Sequence, residues 1–86
     1  MPSNEQMRAK IIERIVKLRK MKAEFYSKSE DARKIMSDWA MGGPRPSMAI
    51  INEATHIIQV ADNGMTFCFD QEQHLRKLAK EEGIEL

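Results

Sequence analysis

The sequence predicts a mostly helical α+β domain. Its expected order is an N-terminal helical pair or one long helix over residues 3–41, a Gly/Pro linker over 42–47, a β-hairpin region over 48–69 and a C-terminal helix over 70–83. Three observations predict it. Apolar residues recur at helical spacing from Met7 to Phe25 and again from Ala32 to Ala40. Asn63-Gly64 lies between two apolar runs, His56–Val60 and Met65–Phe69, which is a strong hairpin signal because both turn residues accept positive φ. Asp70 and Gln73 then stand at cap spacing before the stripe Leu75, Leu78 and Ala79.

In chain order, Ser3 and Gln6 have capping-box spacing, and Glu5 in the first turn suits the helix dipole. The stripe Met7, Ile11, Ile15, Leu18, Met21 and Phe25 is broadened by Ile12 and Val16, an apolar arc wide enough for more than one neighbour. Ser27 with Glu30, and Ser29 before Glu30-Asp31, are further cap candidates and favour a break near 27–29. The opposing signal is the sevenfold spacing of Ile11, Leu18, Phe25, Ala32 and Trp39, which suits one continuous helix with a coiled-coil seam. Against it, Lys28 and Ser29 occupy the second seam position, and a helix over 4–40 would run about 55 Å. A compact domain of this length is only about 30 Å across. Gly42-Gly43 ends the helical region, and Pro44-Arg45-Pro46 holds the chain extended.

Residues 47–62 also fit two patterns. Ile50, Ile51, Ala54, Ile57, Ile58 and Ala61 suit an amphipathic helix capped by Gly64. The hairpin is preferred because it pairs Val60 with Phe67 and Ile58 with Phe69, and gives Met65–Phe69, a poor helix former, a partner strand. Gly83 ends the last helix, and Ile84 and Leu86 are placed to dock back as an apolar tail.

Eighty-six residues, 42% hydrophobic and 31% charged, describe one small globular domain with a thin core. No apolar run approaches the roughly 20 residues of a membrane span, and the opening residues lack a signal-peptide pattern. With a single cysteine, Cys68, the expectation is a cytoplasmic protein without a disulfide. Net charge is +1 but split. Residues 1–45 hold eleven Lys and Arg against six Asp and Glu, giving +5; residues 46–86 hold three against seven, giving −4. Such asymmetry suits an anionic partner or attraction between the halves of one or two chains.

Chemistry-bearing constellations are sparse. His56, Cys68, Asp70 and His74 do not match zinc-ligand spacing, so no metal and no cofactor is expected. Nothing local to Cys68 predicts an activated thiol, and the expectation is a protein that is not an enzyme. The linker around Arg45 lacks the lysine and glycine spacing of a phosphate loop. The basic stretch 8–22 nominates Lys10, Arg14, Lys17 and Lys20, with Arg45, as contacts for nucleic acid or a small anionic ligand. No aromatic stacking set or helix-turn-helix signature accompanies them. Ile12, Val16 and the sole tryptophan, Trp39, are the candidate interface residues. The leading functional expectation is a non-enzymatic protein-interaction module, an accessory or inhibitor protein that binds another protein and itself. The alternatives are a nucleic-acid-binding or regulatory protein and an oligomeric binder of a small anion or nucleotide.

Overall fold

The structure, a computed structural model, describes residues 3–86. It consists of two antiparallel helices, α1 (Asn4–Ala40) and α2 (Met48–Glu81), of 37 and 34 residues. They form a rod with extents of 60 × 17 × 16 Å. No strand occurs among the described residues. The α+β expectation is therefore corrected to an all-α hairpin.

Local chemistry sets the helix ends. The Ser3 hydroxyl accepts from the Gln6 amide at 3.2 Å, and the Gln6 side chain accepts from the Ser3 amide at 3.1 Å, completing the expected capping box. α1 stops at Gly42, whose φ of 95° belongs to the left-handed region. The Gly42 N–H donates to the Trp39 carbonyl at 3.1 Å, and the Gly43 N–H to the Asp38 carbonyl at 2.9 Å. A Cβ on Gly43 would lie 2.7 Å from that same Asp38 oxygen, so the second glycine is required as well. Ser47 caps α2 by accepting from the Ile50 amide at 3.3 Å.

The far end of α2 repeats the device. Gly83 has φ 68°, its N–H donates to the Lys80 carbonyl, and the Ile84 N–H donates to the Ala79 carbonyl at 2.8 Å. This reversal sends Ile84 back onto Ile11, Ile15 and Ala79, with Met7 and Leu75 beside them. The docking expected of Ile84 is thus present, whereas Leu86 stays exposed.

The break expected near 27–29 is absent, and α1 runs through as one helix. The length objection presumed a compact domain, but a long helix can instead be covered by a second of equal length. The seam follows the sevenfold pattern: Ile11, Leu18 and Ala32 of α1 are buried, as are Ala54, Ala61 and Cys68 of α2. Ser29, read as a seam defect, is fully buried and satisfied. Its hydroxyl donates to the Tyr26 carbonyl and accepts from Arg33 Nε, both at 2.9 Å.

The predicted hairpin over 48–69 and the separate helix over 70–83 are both corrected to parts of α2. Val60 and Phe67 are not cross-strand partners, nor are Ile58 and Phe69. Asn63 and Gly64 lie mid-helix, and Gly64 has no positive φ. The lack of a side chain serves packing instead. A Cβ at Gly64 would lie 2.6 Å from the Phe25 ring, which rests directly on the glycine. Asp70, expected to open the last helix, is an exposed residue within α2.

Candidate interaction surface

The hairpin has two unlike edges, and the heptad positions flanking the seam define them. One carries Ile12, Arg19, Tyr26 and Arg33 of α1, each seven residues from the next, beside Asp62, Phe69, Glu72 and Arg76 of α2. Arg19 grips Glu72 with two bonds, Nε to Oε1 at 2.9 Å and Nη2 to Oε2 at 3.2 Å. Arg76 joins the same carboxylate at 3.1 Å. The Arg19 guanidinium, and secondarily Arg76, hold the Glu72 carboxyl below its ordinary range despite partial burial, while Glu72 raises the pKa of Arg19. Arg33 bonds Asp62 across the helices and lies 5.6 Å from the centre of the Tyr26 ring. Lys22 sits 5.7 Å from the centre of the Phe69 ring. This edge is tied together by charge.

The other edge is apolar and open. Ala32, Ile35, Ile50, Ala54 and Ile57 line a hollow of about 240 Å³ with Asp31 and Glu53 at its margin. Ile57 continues into a second hollow, about 420 Å³, bounded by Phe25, Lys28, His56, Val60 and Ala61. Phe25 and Lys28 carry it on to Met21 and Glu24. The hollows thus share residues and form one trough along the rod. Phe67, one heptad beyond Val60, is exposed on the same side of α2 but lines none of the hollows. Val60 is 50% and Phe67 52% exposed, because each stands one residue before the buried row Ala54, Ala61 and Cys68 and so lies off the seam. Scattered surface apolar residues are ordinary, but a continuous row is an interaction signature.

The residues nominated from sequence are dispersed over this frame. Lys10, Arg14, Lys17 and Lys20 are all exposed on the N-terminal half of α1. Lys17 pairs within its helix with Glu13 at 3.2 Å, both side chains largely in solvent. Arg45 sits in the connection at the opposite end of the rod, 5.8 Å from the Trp39 ring centre and 3.4 Å from Met48 Sδ, so the fold does not bring it to the basic helix. Trp39 is half-buried beneath it. Ile12 is half-buried on the ion-paired edge. Val16 is 60% exposed and lines none of the hollows.

His56 and His74 are exposed, and Cys68 is buried. No group of three or more potential metal ligands comes together among the described residues. The trough residues Ile50, Ile57 and Val60, and Phe67 on the same side of α2, were legible only as a helical pattern: 50 and 57, and 60 and 67, are one heptad apart. Assigning the segment to strands conceals that spacing.

Fold and surface together define an antiparallel helical hairpin with one ion-paired edge and one apolar edge. No protein family, curated protein or solved structure matches the chain. No helix among the described residues is long and apolar enough to cross a membrane.

Proposed function

We propose that this chain is a non-enzymatic protein-interaction module that self-associates by covering its apolar trough with another helical surface. The observation that carries the proposal is the apolar trough that runs from Ile35 and exposed Ile50 through half-buried Ile57 to exposed Val60, on a molecule with a narrow core. Two helices alone have one seam to bury. The chain exposes 6697 Å², whereas a compact monomer of 9.9 kDa exposes roughly 5,200 Å². Its radius of gyration of 18.5 Å likewise exceeds the roughly 12 Å of a compact domain of this length. The surplus of roughly 1,500 Å² per chain is larger than the about 800 Å² that each partner buries in a standard interface. An accessory or inhibitory role follows naturally for a rod that presents its remaining surface to a second protein.

Light scattering across micromolar concentrations tests the proposal. The wild-type chain gives a mass above that of one chain, and Ile57→Asp or Val60→Asp, both in the trough, lowers it to one chain. Val16→Asp, at an equally exposed apolar residue outside the trough, leaves the mass unchanged. A strictly monomeric wild type at high micromolar concentration refutes self-association.

A further inference from the structure

We infer that the occupant of the trough is a second copy of this chain laid antiparallel, with the twofold axis crossing the rod at the level of Phe25 and Gly64. The inference rests on the proposed self-association and names its geometry. The edge of α1 beside the trough carries Lys10, Lys17, Glu24, Asp31 and Asp38, each seven residues from the next. All five are exposed, and Glu24 and Asp31 line the trough itself. The row is basic towards the termini and acidic towards the connection. A twofold axis across the rod lays each helix antiparallel on its own copy, as in an isologous four-helix bundle. Centred at Glu24, it sets Lys10 against the other copy's acidic position 38 and Lys17 against position 31, four opposite-charge pairs per dimer, against one like-charge contact where the two Glu24 residues meet at the axis. Flanking charges of this kind choose partner and orientation in helical bundles. The Lys17–Glu13 contact is solvent-exposed and intrahelical, so it competes only weakly.

α2 has the same symmetry independently. With the axis at Asn63-Gly64, Ile50 falls opposite Leu78 about Gly64, and Val60 opposite Phe67 and Glu53 opposite His74 about a point half a residue earlier. At these positions apolar residues meet apolar ones and the carboxylate meets the imidazole, while Ile57 falls opposite the polar position 71. The centres on the two helices are level in the hairpin, because the Phe25 ring rests on Gly64. A parallel dimer lacks this match. Its axis runs along the rod and faces each α1 with the other copy's α2, which sets Asp31 and Asp38 against Ile57, Glu53 and Ile50.

Cross-linking and charge exchange test the geometry. Lys17→Cys chains and Asp31→Cys chains, each in a Cys68→Ala background, are mixed and treated with a short bis-maleimide. A joined heterodimer is expected, while Asp38→Cys chains alone stay unjoined because their connections lie at opposite ends. In the native-cysteine chain, Lys17→Glu should raise the dimer dissociation constant roughly three- to tenfold, and adding Asp31→Lys should restore it. The exchange keeps the inference testable if the cysteine background folds poorly. A dimeric mass with Asp38→Cys chains joined to each other, or no restoration by the double exchange, overturns the antiparallel arrangement and leaves self-association standing. A strictly monomeric wild type overturns both.

Discussion

The two edges of this hairpin lie side by side along the same seam and solve different problems. The edge with Arg19, Arg33, Asp62 and Glu72 satisfies its polar groups within the chain. The edge with Phe25, Ile35, Ile57 and Val60 leaves apolar area in water. Ion pairs at a solvated edge contribute little energy but fix register and tolerate solvent. Apolar area contributes about 25 cal/mol per Å² only when something covers it. Tyr26 and Phe69 on the ion-paired edge are as exposed as Val60, so what separates the edges is the cross-helix ion pairs on one and the joined apolar hollows on the other.

The largest expected effect strikes the seam both edges share. Leu18 is fully buried, and Leu18→Ala should cost about 2–5 kcal/mol, measured by urea unfolding at fixed protein concentration. So large a loss in a two-helix protein is enough to leave much of the chain unfolded. An unchanged midpoint would mean that the seam is not the main source of stability.

On the open edge the effect should depend on concentration. Ile57→Asp should lower the melting temperature little in dilute protein and progressively more, relative to wild type, as concentration rises. Mass action stabilises only the chain that can still associate. A concentration-independent difference would place Ile57 in the service of the single hairpin and erase the contrast between the edges.

The ion-paired edge should respond more modestly. Ser29→Ala removes the hydroxyl that orients Arg33, and its cost should stay within about 1 kcal/mol, since a net hydrogen bond is worth about that much and alanine is the better helix former. Calorimetry at two concentrations should give the same small difference at both.

The smallest effect belongs to Glu72, and pH reveals it. Its carboxyl is held below the ordinary range chiefly by Arg19, so the folded state binds this proton less readily than the unfolded chain. The resulting stability is fully present above the ordinary glutamate value of about 4.5 and is lost as pH falls through the lower folded value. Glu72→Gln should therefore be slightly less stable than wild type at neutral pH. The two should converge in acid, as followed by helical circular dichroism during thermal melts from pH 7 downward. A gap that widens in acid would contradict the assigned direction.

How much was legible differs residue by residue. Ser3 with Gln6, Gly42-Gly43 and Gly83 announced real helix ends, because a cap is decided by neighbours within a turn. The sevenfold seam through Ile11, Leu18 and Ala32 was visible as a pattern, but a break near 27–29 was preferred to it, and α1 runs through without one. Ser29 misled because a polar residue at a seam position reads as a gap, and only the fold shows Arg33 reaching back to it. The trough was hidden once Met65–Phe69 was given to a strand. The alternative helical pattern of Ile50, Ala54, Ile57 and Ala61 continues through Cys68 and Leu75 at heptad spacing.

The sequence by itself determined where α1 begins, where each helix stops, that Ile84 turns back and that charge divides between the halves. Each of those rests on local sterics, local hydrogen bonding or simple composition. Only the tertiary structure decided between turn and helix at Asn63-Gly64. Asn-Gly is compatible with both, and the local preference for a turn is worth no more than a few kcal/mol. Forming α2 as one helix buries Ala54, Ala61 and Cys68 along α1 and gives the Phe25 ring its seat on Gly64. Long-range packing of that kind outweighs a turn propensity, and no window of a few residues contains it.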